Sequence, residues 1–130
     1  MNILLVEDDL IAQKIAIKIL ESLGCQVLSA RDGATALAII QQQSFPIIFI
    51  DLGLPDIDGY RLADQIVVTL RAQQRSSYLI ALSAYVSEEE MKRSQTVGVQ
   101  QVLEKPLSFE KAKKIIGNYS VLSKECSSKI

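Results

Sequence analysis

Chemically reactive side chains follow four short apolar segments of this sequence. They are the acids Glu7, Asp8 and Asp9, the acid Asp51, the hydroxyl of Ser83 and the amine of Lys105. In an open parallel sheet, ligands bind at the edge formed by the carboxyl ends of the strands. An acid such as Asp51, placed at the end of a strand buried on both faces, is costly unless something uses it. These residues are therefore the first candidates for a functional site.

Five apolar segments alternate with five amphipathic segments along the chain. The predicted strands lie near residues 3–6, 26–30, 47–51, 78–82 and 99–103. This alternation predicts a parallel sheet covered by helices on both faces, because strand-helix-strand crossovers are short and right-handed. A flavodoxin-like three-layer α/β fold with strand order 2-1-3-4-5 suits five such units. Glu7, Asp8 and Asp51 are then expected to converge at one edge, with Ser83 and Lys105 on the same rim.

The first predicted helix carries a row of apolar residues at a spacing of four. Ile11, Ile15, Ile19 and Leu23 form this row, which we expect to face the core, and Gly24 marks the end of the helix.

Capping residues mark several other helix ends. Asp32 and Ser108 are expected as N-caps, and Ser87 with Glu90 fits a capping box, in which each side chain binds the other residue's backbone N–H. The last helix is predicted for residues 109–116. Residues 1–117 should form one domain, and the polar, aperiodic residues 118–130 a tail or the start of a linker.

The composition limits the classes of function. With 48% hydrophobic and 22% charged residues, the 130-residue chain has the composition of a globular domain. Its net charge of -1, without a basic stripe, argues against direct binding to nucleic acid. There is no apolar run of about eighteen residues and no signal peptide, so we expect a cytoplasmic protein without direct membrane contact. Cys25 and Cys126 form no CxxC pattern and are expected to be reduced and without a role.

The predicted convergence of carboxylates calls for a positive charge. Two carboxylates about 4 Å apart repel by roughly 4 kcal/mol at an effective dielectric constant of 20. Carboxylates, a backbone carbonyl such as that of Gly53, and water are the ligands that Mg²⁺ prefers. Zinc is disfavoured, because the sequence contains no histidine and no paired cysteines.

A carboxylate beside Mg²⁺, a lysine and a hydroxyl can support phosphoryl transfer onto Asp51. The carboxylate attacks phosphorus, and Lys105 and the metal neutralise the equatorial oxygens. The Ser83 hydroxyl or an adjacent backbone N–H donates a hydrogen bond to one of these oxygens. An ionised carboxylate needs no general base, so the absence of histidine does not count against this chemistry. Taken singly, Asp8 is better explained as a helix cap, Ser83 as a solvated strand end and Lys105 as part of a surface turn. The combination on one rim favours function.

Four segments of the sequence resemble the receiver domains of two-component response regulators. They are residues 5–9 (LVEDD), 49–59 (FIDLGLPDIDG), 81–84 (ALSA) and 104–106 (EKP), and the resemblance covers about residues 2–116. It implies that Asp51 is the phosphoacceptor, that Asp8 binds Mg²⁺ directly and Glu7 through water, and that Gly53 supplies a carbonyl ligand. It also implies that Ser83 is the switch hydroxyl and Lys105 the partner of the phosphoryl group. The implied partner is a histidine kinase or a phosphotransfer protein carrying phosphohistidine.

The sequence departs from the receiver pattern at one position of the switch. Many receivers carry an aromatic residue three positions before the lysine, where this chain has Val102. Tyr85 is a possible substitute, although core packing is the favoured interpretation of both residues. Gly53 is small for a position that shields the phosphoryl group, so we predict comparatively unhindered hydrolysis, which a slow loss of phosphate would contradict.

Several kinds of parent protein and function remain open at this point. The sequences of residues 54–59 and 98–108 resemble those of receiver modules of hybrid sensor histidine kinases more than those of free single-domain regulators. We expect no output domain. A Mg²⁺-dependent phosphohydrolase is the alternative enzyme, but such enzymes commonly have a second Asp two residues after the nucleophile, where this chain has Gly53. The least favoured interpretation is a receiver-like interaction module that works without phosphate.

Overall fold

A computed structural model describes the backbone of residues 1–128 and the side chains of residues 1–119. Five strands alternate with five helices, in the order β1 (Asn2–Val6), α1 (Leu10–Ser22), β2 (Gln26–Ala30), α2 (Gly33–Gln42), β3 (Ile47–Asp51), α3 (Gly59–Ala72), β4 (Tyr78–Ser83), α4 (Glu88–Thr96), β5 (Gln101–Glu104) and α5 (Phe109–Ser128). All strand pairs are parallel, and the sheet order is β2-β1-β3-β4-β5. The predicted α/β fold and strand order are confirmed.

Alternate residues of the inner strands divide the core into two halves. Ile3, Leu5 and Phe49 face α1 and α5, whereas Leu4 and Ile50 face α2 and α3. Because both faces are covered, β3 is buried along its whole length. This burial carries Asp51 to the carboxyl edge on a rigid support.

Helix ends are fixed largely as predicted. The Asp32 side chain accepts the Thr35 N–H at 2.7 Å at the start of α2, and the Ser108 hydroxyl accepts the Lys111 N–H at 3.2 Å at the start of α5. After α1 the chain passes through Gly24 with φ +86°, a left-handed conformation that glycine adopts without steric cost.

The predicted core face of α1 is wrong in the first two turns of the helix, although the last two residues of the row pack against the core. Ile11 is 73% exposed and Ile15 50%, whereas Gln13, Ala16 and Leu20 are buried. A spacing of four drifts around a helix with 3.6 residues per turn, so the isoleucine row leaves the core in the first two turns. The exposed isoleucines instead line the surface beside the candidate site.

The predicted end of α5 at residue 116 is also wrong, because α5 continues to Ser128. Ile116 and Tyr119 pack against the same core cluster as Ile115, and the Tyr119 ring meets Tyr78 edge-on with centroids 6.4 Å apart. Gly117 stands at an open position of the helix, where glycine costs only about 1 kcal/mol relative to alanine. Residues 129 and 130 of the predicted tail lie outside the described residues, and the domain boundary at 117 stays a prediction.

Among the residues that the structure describes, no helix combines the length and the apolar character needed to cross a membrane. Cys25 is buried as a free thiol, whereas the side chain of Cys126 lies outside the described part of the chain.

Candidate functional site

Asp51 is held at the end of β3 by its own backbone and by the loop that follows. It is 3% exposed, and its Oδ1 accepts the Gly53 N–H at 2.9 Å. The loop returns to the strand at Gly59, where an added Cβ would lie 2.5 Å from the Leu52 Cα, so only glycine fits this approach. Asp58 then caps α3 by accepting the Tyr60 N–H at 2.9 Å. The carboxylate therefore has a fixed position.

The acids after β1 take two different roles. Asp9 is the N-cap of α1 and accepts the backbone N–H groups of Ile11 and Ala12 at 2.9 and 3.2 Å. Glu7 is 3% exposed, and its carbonyl accepts the buried Gln13 side chain at 3.2 Å. Asp8, between them, is half-buried. Helix capping thus uses Asp9 and leaves Glu7 and Asp8 for other partners.

The structure brings Glu7, Asp8 and Asp51 together at the carboxyl edge. One carboxylate oxygen from each residue lies within 4.8 Å of the others. The Lys105 Nζ, delivered by the turn after β5, lies 2.8 Å from Asp51 Oδ1 and 3.3 Å from Glu7 Oε1. An acidic triad and a single lysine therefore share one small volume at the predicted place.

The electrostatics assign different protonation states to the two buried acids. Burial, reinforced by the neighbouring Asp51 carboxylate, raises the pKa of Glu7 to about 7. Burial also acts to raise the pKa of Asp51, but hydrogen bonds from Glu7 and Lys105 outweigh it and hold this pKa below its usual value. Burial acts to lower the pKa of Lys105, but its contacts with Asp51 and Glu7 raise it. Below about pH 7 and without a metal ion, the site therefore holds a Lys105–Asp51 ion pair and a proton on Glu7.

The donor set fits a hard divalent cation. Three carboxylates offer only oxygen ligands, and the cluster has one lysine to balance its negative charge, so Mg²⁺ suits it better than a softer metal. Gly53 is exposed and its N–H binds Asp51, which places the residue against the site, and its carbonyl stays a predicted ligand.

Ser83 reaches the same rim, but its hydroxyl is turned to other partners. It is 4% exposed, and its Oγ lies 2.8 Å from the Tyr85 carbonyl and 2.7 Å from Glu90 Oε2. No hydrogen bond links Ser83 to Asp51 among the described residues. Sequence reasoning missed the contact with Glu90, because it assigned that carboxylate to the backbone of Ser87.

Val102 and Tyr85 have different environments. Val102 is partly buried against the core, as expected from core packing. The prediction that Tyr85 packs in the core is wrong, because this residue is 72% exposed. Val102 has no aromatic ring, and the ring of Tyr85 lies at the surface, so neither side chain acts as a buried aromatic partner of Ser83.

An apolar groove of about 280 Å³ adjoins the acidic triad. Ile11, Ile15 and Ala16 of α1 form one wall, and Pro106 and Leu107 form the other. Glu7 and Lys105 also line the groove, so the exposed isoleucines of α1 border the reactive residues directly.

Receiver domains are among the solved structures that share this architecture. The receiver domain of the sensor histidine kinase PA1611 from Pseudomonas aeruginosa, with a magnesium ion coordinated in its active site cleft, is 29% identical, covers 91% of this chain and 95% of its own, and has a TM-score of 0.78. A CheY-like receiver domain from Methanospirillum hungatei is 26% identical, covers 95% of this chain and 97% of its own, and has a TM-score of 0.83. The fold and the arrangement of the rim thus define a receiver-type signalling domain.

The model of the response regulator receiver domain family matches residues 3–117, and the chain belongs to this family. Among its relatives are the sensor histidine kinase AruS of Pseudomonas aeruginosa and the sensor protein TorS of Escherichia coli, each 32% identical. The matches cover 90% and 92% of this chain but only 12% and 13% of those proteins. The chain is therefore homologous to the receiver modules of two-component phosphorelay kinases and spans a small part of their length.

Proposed function

We propose that Asp51 accepts a phosphoryl group from a phosphohistidine and that this modification switches the domain. The observation that carries the proposal is the position of the Asp51 carboxylate, buried at the end of β3, grouped with Glu7 and Asp8 within 4.8 Å and paired with Lys105 at 2.8 Å. A nucleophile, a cation site and a fixed positive charge thus share one edge.

The transfer requires little covalent chemistry from the protein. An Asp51 oxygen forms the new O–P bond as the N–P bond of the donor breaks, and the electron pair returns to the imidazole nitrogen. Because the lowered pKa keeps Asp51 ionised, no general base is needed. Lys105 balances the charge of the incoming oxygens, and Mg²⁺, held by Glu7, Asp8, Asp51 and the Gly53 carbonyl, would supply further charge neutralisation.

The donor has to come from another protein or from another part of the parent, because this sequence contains no histidine. We assign the donor to a histidine kinase or a phosphotransfer protein. The exposed apolar residues Ile11 and Ile15 line the groove beside the site and support docking of a partner there. The relatives favour a receiver module of a hybrid kinase over a free single-domain regulator. We assign the domain to the cytoplasm.

The domain should not act as a multiple-turnover enzyme. Gly53, two residues after Asp51, provides no acid or base for a leaving group. We therefore assign it only its own phosphorylation and dephosphorylation, with residues 1–117 as the functional unit and 118–130 as the start of a connection.

Intact-mass spectrometry with a small acyl phosphate tests the proposal. We expect a Mg²⁺-dependent gain of one phosphoryl group, no gain in Asp51→Asn, and a rate about 100-fold lower in Lys105→Met. Asp64→Asn and Lys114→Met, which change exposed residues away from the site, are matched controls and should behave like the wild type. A phosphorylated Asp51→Asn protein, or a wild type that gains no phosphoryl group with Mg²⁺, would contradict the assignment.

A further inference from the structure

The carboxylate of Glu90 is not used as the sequence predicts for a capping box. The Ser87 hydroxyl does accept the Glu90 N–H, at 3.2 Å, which forms the first half of the box. The Glu90 side chain instead crosses to the end of β4, where its Oε2 lies 2.7 Å from Ser83 Oγ. An acid in the first turn of α4 thus contacts the hydroxyl that, in the proposed function, binds the phosphoryl group on Asp51.

The hydrogen bonds of Ser83 leave its hydroxyl no spare proton. A serine hydroxyl has one proton to donate, and two acceptors, the Tyr85 carbonyl and the Glu90 carboxylate, already lie within 2.8 Å of it. The Tyr85 N–H also donates to Ser83 Oγ, at 3.2 Å. A phosphoryl oxygen at Asp51 can therefore accept this hydrogen bond only in competition with the Glu90 carboxylate and the Tyr85 carbonyl.

The contact also joins the site to α4. Glu90 lies in the first turn of α4. The structure describes the whole of this helix, and Ser94 is its single buried residue. With so little apolar burial, α4 depends on polar contacts such as Glu90–Ser83 for its attachment at the carboxyl edge.

We propose that Glu90 is a positioning residue that holds the Ser83 hydroxyl away from Asp51 in the unphosphorylated domain. The inference rests on the proposed function of Asp51 and adds a residue to it. Glu90 therefore opposes the phosphorylated arrangement. On phosphorylation the Ser83 hydroxyl keeps its proton but donates it to a phosphoryl oxygen instead of to Glu90, which frees the start of α4.

Binding of beryllium fluoride, a phosphoryl mimic, with Mg²⁺ tests this role in the full chain. We expect Glu90→Ala to bind about three- to tenfold more tightly than the wild type, the effect of one competing hydrogen bond. Glu90→Gln keeps an acceptor oxygen and should return towards wild-type affinity. Glu89→Ala is the matched control, because it removes an exposed acid from the same turn, and it should bind like the wild type.

The effect should also depend on Ser83. In a Ser83→Ala background, Glu90→Ala should no longer change the affinity, as a double-mutant cycle of two contacting residues requires. As a second measurement, the Tyr85 amide resonance of ligand-free Glu90→Ala should shift towards its position in the beryllium fluoride complex, whereas that of Glu89→Ala should not.

Three results would overturn the inference. Equal affinities for Glu90→Ala and Glu89→Ala, or a Glu90 effect that survives in Ser83→Ala, would exclude the proposed role while leaving Asp51 as phosphoacceptor. A wild type that does not bind beryllium fluoride with Mg²⁺ would remove the proposed function and this inference with it.

Discussion

Helices α3 and α4 follow the two strands that carry Asp51 and Ser83, but they are attached to the domain very differently. Helix α3 has six buried residues, namely Gly59, Tyr60, Leu62, Ala63, Ile66 and Leu70, whereas Ser94 is the one buried residue of α4. The helix that follows Asp51 is therefore part of the core, and the helix that follows Ser83 lies on its surface.

The same contrast is present in the polar contacts. Asp51 is fixed by the Gly53 N–H and by Lys105, both within 2.9 Å. Ser83 is bound to groups of the β4–α4 connection and not to Asp51. Chemistry requires a preorganised site, whereas a switch requires an element with a low cost of rearrangement. In the proposed function, the domain would therefore separate these two requirements between neighbouring strand ends.

The largest expected difference between the two helices is in stability. Ile66→Ala removes a fully buried side chain and should lower the free energy of unfolding by about 2–5 kcal/mol, because the core cannot close the cavity. Met91→Ala in α4 changes a residue that is 48% exposed and should cost less than about 1 kcal/mol. Urea unfolding of both variants measures the comparison, and similar losses would show that α4 is held as firmly as α3.

The elements and the acidic site could be predicted from sequence because their signals are local. The five strands are short apolar runs, and strand order alone brings Glu7, Asp8 and Asp51 to one edge. Two helix predictions failed for physical reasons that local patterns miss. A row at a spacing of four did not define the buried face of α1, and Tyr119 extends α5 through a contact with Tyr78 that is distant in sequence.

The orientation of Ser83 could not be predicted for a related reason. Both Ser87 and Ser83 offer partners to the Glu90 carboxylate, and only the three-dimensional path from β4 to α4 decides between them. Sequence patterns fix which groups meet at an edge, but competition among neighbouring hydrogen-bond partners is decided by distances of a few tenths of an ångström.

A smaller effect is expected in the pH dependence of Mg²⁺ binding, because Glu7 lies beside Asp51 and can carry a proton. Since the pKa of Glu7 is raised to about 7, the metal-free protein holds a proton there at lower pH, and Mg²⁺ has to displace it. Mg²⁺ affinity should therefore fall as the pH drops below about 7, by at most about tenfold per pH unit for one proton. Isothermal titration calorimetry between about pH 8 and pH 6 measures this slope.

Two variants identify the titrating group. Glu7→Gln should bind Mg²⁺ more weakly overall but with a shallower pH dependence, whereas Glu21→Gln, at an exposed position of α1, should keep the wild-type slope. An unchanged slope in Glu7→Gln would assign the proton to another group. It would then contradict the interpretation that burial raises the pKa of Glu7 and so controls Mg²⁺ binding.

The smallest expected effect on stability concerns Arg93, which links α4 to the start of α3. Its guanidinium lies 2.9 Å from Asp58 Oδ2 and 4.2 Å from the centre of the Tyr60 ring, and both partners of the ion pair are about half exposed. Such contacts contribute little, so Arg93→Ala should cost about 1 kcal/mol or less. Because α4 has few other attachments, hydrogen exchange of its amides should nevertheless rise several-fold while that of α3 stays unchanged. Arg61→Ala, on the exposed surface of α3, is the control. An equal rise in both helices would mean that α3 and α4 open together, and the separation between a fixed and a loosely held side of the site would be lost.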